Sequence, residues 1–428
     1  MTVDAIRLPT HAERRARAAV AVLFFTNGAL FANLLPRFPQ IKTDLGIGNA
    51  AYGLALVAFP AGAVAAGPAA GALVRRLGSA RVAVAGTLLT GLGVLAAGLA
   101  GSVALFAAAL FLAGAMDALT DVGQNAHGLR VQRRYGRSLI NSFHAIWSVG
   151  AVTGGSMAAG AIALGLPQGQ HLLISAVLFG IAACVALRFC LSGPDTDPDA
   201  ARTDDVTTDG AKAGGADTDA ARTDSADGGD RGRAAWPGDR DSARLRGAYV
   251  LAALVLIAAS GALVEDAGSS WAALYLADSL HASATLAASG YIALVGAQFV
   301  GRVIGDRMVD RFGRRTVARS GGVVVAIGMG LALAVPTTSG TILGFAAAGF
   351  GVATLVPAAM HEADELPGLK PGSGLTIVSW LMRLGFLLSP PVVGLVADES
   401  GLRVGLLVVP LAGVLVILSA GVLRPRRP

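Results

Sequence analysis

The sequence predicts an all-α polytopic membrane protein, with twelve transmembrane helices arranged as two pseudo-symmetric six-helix bundles. Three observations carry this. Over 428 residues the mean hydropathy is +0.62 and 14% of residues are charged, against roughly 25% in soluble domains. Twelve apolar runs each approach the ~20 residues a helix needs to cross hydrocarbon. Arginine is concentrated in alternate connections between those runs.

The first six runs lie near 18–40, 50–74, 80–100, 103–127, 139–165 and 170–190. Arg14, Arg15 and Arg17 precede the first, as they would in a signal peptide, but its length and the eleven runs that follow favour an uncleaved first helix. The remaining six lie near 247–277, 284–306, 316–335, 338–360, 372–397 and 402–423. Between the two sets, residues 191–246 hold 13 Asp and 8 Lys or Arg, a balance of −5 that leaves the rest of the chain at +11. That stretch is too poor in apolar side chains to offset its ordering, so it is expected to be a disordered cytoplasmic linker. The expected domains are a bundle over 1–190, the linker over 191–246 and a bundle over 247–428. Arginines and a lysine cluster at the N-terminus, after runs 2, 4, 8 and 10, and at the C-terminus, whereas the other side has Arg37, Lys42 and Arg403. The positive-inside rule then places both termini in the cytoplasm.

The composition also excludes functions. Nucleic-acid binding needs a basic patch on a soluble face, and none is predicted. A Gly-Lys-Ser/Thr phosphate loop and His/Cys metal-ligand spacing are both missing from the sequence. No enzyme activity, cofactor or metal is therefore expected. Cys184 and Cys190 share one apolar stretch and read as small core residues.

The halves repeat one another. Gly28-Ala29-Leu30 matches Gly261-Ala262-Leu263, and Arg76-Leu77-Gly78 matches Arg311-Phe312-Gly313. Around the second pair, Gly71 precedes Arg75-Arg76-Leu77-Gly78, and Gly305-Asp306 precedes Asp310-Arg311-Phe312-Gly313-Arg314-Arg315. This resembles the G-x-x-x-D-R-x-G-R-R loop of the major facilitator superfamily, with Arg75 standing where the Asp belongs. The stretches Met116–Gly128, Ser142–Ser148, Glu265–Tyr275 and Gly385–Pro391 are similar to its YbjJ-like bacterial inner-membrane branch. The resemblance implies secondary transport by rocking of the bundles. It also implies a cytoplasmic gate at Gly71, Arg75, Arg76, Gly78, Asp310, Arg311, Gly313 and Arg314, and third helices of each triplet that face lipid. Gly150, Gly154 and Gly155 resemble an antiporter motif but lack its Gly-Pro step, and read as close helix packing.

Polar residues are costly in lipid, so their positions are informative. Runs 3, 6, 9 and 12 carry no interior charge. Elsewhere stand Asn27 and Asn33, then Asp117, Asp121, Gln124 and Asn125, then Asn141 and His144, then Glu265, Asp266, Gln298, Arg302 and Arg383. Asp117, Asp121, Gln124 and Gly128 share one helical face, as do Asn141, His144 and Ser148. Arg383, Glu265 and Asp117 each lie roughly 20 Å from a helix end. Glu265, Asp117, Asp266 and Asp121 are the proton-coupling candidates, with Glu265 and then Asp117 leading. Asn27, Asn33, Gln124, Asn125, Asn141, His144, Trp147, Trp271, Gln298, Trp380 and Arg383 are the substrate candidates. The bland alternatives are an internal hydrogen-bond network for Gln124 and Asn125, a buried pair of Arg383 with Glu265 or Asp266, and interfacial anchoring for Trp271. Asp121, Arg302, His361 and Glu362 read as gate or interfacial charges. The expected function is proton-coupled transport of a small polar solute by a monomer in a bacterial inner membrane. The partners are that solute, a proton or other coupling ion and the bilayer. Drug or metabolite export, and a sensor that has lost flux, are the rivals.

Overall fold

The computed structural model describes residues 9–136, 139–193, 237–366 and 373–423. Among them, twelve helices are long and apolar enough to span a membrane. These are α1 (His11–Leu45), α2 (Asn49–Leu77), α3 (Ser79–Gly98), α4 (Val103–Tyr135), α5 (Ser142–Ala163) and α6 (Gln168–Leu187), then α7 (Arg246–Ser279), α8 (Ala284–Gly305), α9 (Arg314–Ala334), α10 (Thr338–Asp364), α11 (Ile377–Ser400) and α12 (Leu402–Val422). Of the predicted linker, residues 194–236 lie outside the described residues. Its last part departs from expectation, because the helix that becomes α7 already starts at Pro237. Proline suits a first helical position, where its missing N–H has no intrahelical partner, and Asp239 and Asp241 follow where acidic side chains favour a helix start.

Local chemistry sets the other ends. A reciprocal capping box opens α1: Thr10 Oγ1 accepts from the Glu13 N–H at 3.2 Å, and the Thr10 N–H donates to Glu13 Oε2 at 2.7 Å. Inside α1 the helix tightens to a 3₁₀ turn over Leu35–Arg37 at Pro36, then resumes as Phe38–Leu45. The polar C-terminal turns of α4 carry the helix to Tyr135, beyond its apolar run, and Gly136 closes it with a φ of +73°. Gly78, between α2 and α3, has φ +89° and ψ 142°, and Gly313, between α8 and α9, has φ +81° and ψ 153°. Both loops thus turn on the same left-handed glycine, so the repeat read from Arg76–Gly78 and Arg311–Gly313 is a repeat of backbone geometry.

Helices α1 to α6 pack among themselves, and so do α7 to α12. Inside the first set, a Cβ at Gly150 or Gly154 of α5 would overlap the Phe25 or Ala29 carbonyl oxygen of α1. These glycines therefore do pack helices closely, as expected. Asn33 is the polar anchor of the same bundle. It is fully buried, and its Oδ1 meets His171 Nε2 at 2.8 Å and Ser175 Oγ at 3.0 Å, both from α6. On the outside, α3, α6, α9 and α12 present leucine, valine and isoleucine, among them Leu92, Ile181, Ile327 and Leu418. Cys184 is also exposed on this outer face and so is not the small core residue expected, whereas Cys190 is half-buried and packs against the cluster of Leu23, Val84 and Ala186. The reason is phase: Cys184 follows Gly180 by one turn on the side of α6 turned away from its bundle.

The two bundles meet along α2–α11 and α5–α8, at the end away from the arginine-rich loops. A Cβ at Gly53 would overlap Pro390 O, and one at Gly394 would overlap Asn49 O, so α2 and α11 touch backbone to backbone. Asp398, from the far end of α11, caps the start of α2. Its two carboxylate oxygens accept from the Asn49 and Ala50 N–H groups at 2.7 and 2.9 Å. Lys42 and Asp278 pair across the same seam at 3.2 Å. Deeper in, the Tyr52 hydroxyl donates to Ser270 O at 3.0 Å, and its ring meets Trp271 edge-on at 5.1 Å, both rings fully buried. Trp271 is thus a seam residue, and the interfacial-anchor alternative fails because no part of the indole reaches the surface.

Replacing Gly154 by Val forces the α1 backbone away and is expected to cost about 1–3 kcal/mol. The apparent melting temperature in detergent should fall by several degrees, while Gly160→Ala, whose Cβ meets nothing within 4 Å, leaves it unchanged. Asp398→Ala removes the cap from the solvent-exposed end of the seam, worth about 1 kcal/mol. In a background without the native cysteines, a cysteine at Ser270 should then be alkylated by a water-soluble maleimide about five-fold faster.

Candidate functional site

The polar residues of the helix interiors collect in a belt where the seam ends. In the first bundle, Asn27 of α1 bridges two helices. Its Nδ2 donates to Asp117 Oδ1 of α4 at 2.7 Å, and its Oδ1 accepts from Trp147 Nε1 of α5 at 2.7 Å. Gly28 makes this possible, since a Cβ there would overlap Trp147 O. One turn along α4, Asp121 Oδ1 accepts from Asn125 Nδ2 at 2.8 Å and from Gln124 Nε2 at 3.4 Å. Asn125 Oδ1 in turn lies 3.2 Å from His144 Nε2 of α5. Asn125 therefore belongs to an internal network that still has Asp121 and His144 exposed at its edge, whereas Gln124 is fully buried with its Oε1 unpartnered among the described residues. Asn141 stands in the first turn of α5's helix, its side chain outside the described residues.

In the second bundle, Glu265 Oε2 accepts from Gln298 Nε2 at 2.7 Å and lies 3.6 Å from Arg302 Nη2. Gln298 and Arg302 are four apart on one face of α8, so both reach the same carboxylate of α7. The other Arg302 nitrogen, Nη1, lies 3.5 Å from Ser148 Oγ. Ser148 belongs to α5 of the first bundle and adjoins Trp147. The belt therefore runs from Asp117 through Asn27 and Trp147 to Ser148, and on through Arg302 and Glu265 to Gln298.

Two expectations are corrected here. Arg302, read as a gate or interfacial charge, is the cation of the belt. Its helix continues to Phe312, ten residues or about 15 Å further. Arg383, a substrate candidate whose bland alternative is a buried pair with Glu265 or Asp266, is exposed and has no ion pair among the described residues, so that alternative fails. It lies seven residues, about 10 Å, from the Pro390 contact, on the open side of the seam. Trp380 stands one turn before it at 63% exposure.

Glu265 and Asp266 are neighbours in sequence but ~100° apart around α7. Asp266 faces Ser389 of α11, Ser270 of its own helix and Tyr52 of α2, and its Oδ2 is buried without a hydrogen bond among the described residues. Asn33 stays inside its bundle and does not join the belt. His127 is structural too. It joins Ser79 Oγ at 2.9 Å to the Leu191 N–H at 3.1 Å, tying α3, α4 and the end of α6 together.

At the arginine-rich end the bundles part. Arg75 and Arg76 are exposed and make no ion pair among the described residues, and Asp310 and Arg311 are exposed as well. Gly71 lies 3.4 Å, measured from its Cβ position, from Arg75 Nη1. Within the second bundle, Arg314 reaches the buried Glu362 of α10 at 3.5 Å, and the exposed His361 lies 3.7 Å from Glu365. The groups sequence reading missed are those of the opposite end: Tyr52, Lys42, Asp278 and Asp398. An acidic residue closing α11 and a Gly-Ile-Gly approach to α2 were the available signals.

The profile of the Major Facilitator Superfamily matches residues 20–297 and 249–428. An uncharacterized transporter, y4wD of Sinorhizobium fredii, is 29% identical over 95% of this chain and 97% of its own length. The membrane protein MosC of Rhizobium meliloti is 28% identical over 94% of this chain and 88% of its own length. Among solved structures, a D-xylose-proton symporter shares the fold with a TM-score of 0.67 at 15% identity, covering 95% of this chain and 96% of that one. The nucleoside transporter NupG does so with a TM-score of 0.66 at 12% identity, covering 96% and 98%. The YbjJ-like branch has no such support. With twelve spans in two bundles, and a polar belt between a sealed end and an open one, this chain belongs to the Major Facilitator Superfamily and is a multi-pass membrane transporter of that type.

Proposed function

We propose that the chain is a proton-coupled secondary transporter of a small polar solute in the bacterial inner membrane, with both termini cytoplasmic. Its two bundles, joined by the 191–246 linker, rock about the belt. The observation that carries this reading is the link from Asp117–Asn27–Trp147 through Ser148 to Arg302–Glu265–Gln298, since it spans both bundles where one end is sealed and the other open. With the arginine-rich loops cytoplasmic, this is the inward-open state.

The belt's distances suggest which contacts yield to a solute. Asn27–Asp117 and Gln298–Glu265 at 2.7 Å are short and hold side chains in place. Arg302–Ser148 at 3.5 Å and Arg302–Glu265 at 3.6 Å are long. A solute carrying hydroxyl or carboxylate groups would draw the Arg302 guanidinium to itself. Glu265, deprived of its counter-charge in a low-dielectric site, would then take up a proton, and would release it when the solute leaves and Arg302 returns. Asp117 is the second carboxylate for this role, with Asp121 and Asp266 behind it. Coupling requires that these sites bind protons differently in the two states. On the open side Arg383, Trp380 and His144 would form the solute's approach, and the Gly71–Gly78 and Asp310–Arg314 loops the gate that closes behind it.

A thermal-shift screen across sugars, organic acids, amino acids and drugs identifies the solute, and proteoliposomes with an imposed pH gradient then measure flux. Uphill accumulation is expected to be lost in Glu265→Gln combined with Asp117→Asn, while exchange of labelled for unlabelled solute persists. Arg302→Ala should abolish both. Uphill flux that survives in the double variant overturns the proton assignment. Strong shifts from apolar drugs alone would favour the export reading.

A further inference from the structure

A sizeable cavity lies outside the belt, on the lipid-facing side of the first bundle. It is an open apolar groove of about 610 Å³ between α3 and α6. Its floor is made by Ala176, Gly180 and Cys184, which succeed one another every fourth residue of α6, and Leu88 of α3 and Ile181 of α6 stand among its walls. Gly180 keeps the floor low, as a Cβ there would come within 3.0 Å of Leu88 Cδ2. One further turn along, the groove ends at Arg188. That side chain is exposed and has no ion pair or hydrogen bond among the described residues. The Arg15 guanidinium of α1 lies 5.8 Å from the ring centre of Phe189, the next residue along the chain, though neither residue lines the groove.

We infer that this groove is a binding site for one anionic phospholipid of the arginine-side leaflet, its acyl chain lying along α6 and its headgroup phosphate on Arg188. Dimensions and charge both select this occupant. From Arg188 to Leu173 the groove runs fifteen residues, about 22 Å of helix, more than the ~15 Å depth of one leaflet's hydrocarbon, so an acyl chain of that leaflet fits within its length. The walls are aliphatic and the floor is flat, which suits an acyl chain rather than a side chain from another helix. The only charged lining residue is a cation, placed where α6 ends and headgroups begin. An arginine at that level, unpaired among the described residues, favours a net negative headgroup over a zwitterionic one. The site is separate from the belt and does not depend on which solute is carried.

The protein supplies its own reporter. Cys184 is exposed on the groove floor. Cys190 is half-buried, and burial pushes its thiol up to about 11, so it stays protonated and slow at neutral pH. The full chain in detergent is treated with a maleimide at increasing phosphatidylglycerol or phosphatidylcholine, and alkylation of Cys184 is followed by intact mass. Phosphatidylglycerol is expected to protect at about five-fold lower concentration than phosphatidylcholine. That advantage should vanish in Arg188→Gln and persist in Arg188→Lys. Equal protection by the two lipids in the unaltered chain overturns the site without recourse to any variant. A phosphatidylglycerol advantage that survives Arg188→Gln overturns the headgroup assignment.

Discussion

The cost of an unpaired polar group in hydrocarbon governs this molecule. A charged side chain at the centre of a bilayer is tolerated only when it is paired or faces water. Most of the paired intramembrane residues obey that rule in one of two ways, while Gln124 Oε1 and Asp266 Oδ2 stay buried without a partner among the described residues. Asn33, His171 and Ser175 satisfy one another inside a bundle and need nothing else. Asp117, Asn27, Arg302 and Glu265 satisfy one another across helices, and in the case of Arg302 across the two bundles. The first kind makes a bundle rigid. The second kind makes a connection that changes whenever the bundles move.

The same constraint decided what could be read from sequence. Spans are long apolar runs, so all twelve were legible, although α1 begins seven residues before its run and α4 ends eight residues after it; the location of the polar residues in α1, α4, α5, α7 and α8 was legible too. Partner choice was not. Counting from the end of an apolar run places Arg302 toward one end of α8, but it does not show that Arg302 reaches Glu265 of α7 and, across the bundles, Ser148 of α5. Arg383 looked like the buried cation by the same arithmetic, yet which face of α11 it occupies relative to α7 depends on packing between helices far apart in sequence. The seam was legible least of all. Asp398 bonds to backbone N–H groups of α2, which any residue possesses, and Tyr52 bonds to a backbone carbonyl. Interactions with the main chain leave no complementary residue to search for.

Glycine shows how a single helix serves both purposes. Gly150 and Gly154 of α5 press against α1, where any side chain would meet backbone. Gly155, the next residue round, faces Tyr291 and Ile292 of α8 in the other bundle, with side-chain carbons 3.0–3.2 Å from its Cβ position. One side of α5 is thus locked by main-chain contact, and the adjacent side meets movable side chains. A helix built this way can remain part of its own bundle while it shifts against the other.

Energetics complete the argument for movement. Within bundles, the contacts are buried and main-chain close, and overpacking them costs about 1–3 kcal/mol at a single position. Between bundles, the polar contacts are the Asp398 cap, the exposed Lys42–Asp278 pair, the Tyr52 bond and the long Arg302 contacts. Exposed ion pairs contribute about 0–1 kcal/mol and ordinary hydrogen bonds about 1 kcal/mol each. These polar terms sum to a few kcal/mol, the scale of the free-energy gap between interconverting protein conformations, and they add to the main-chain contact of α2 with α11 and the buried Tyr52–Trp271 pair. Under the proposed mechanism, a solute that takes over Arg302 or a proton that neutralises Glu265 would change the polar part of that balance by a comparable amount, leaving the within-bundle contacts as they are.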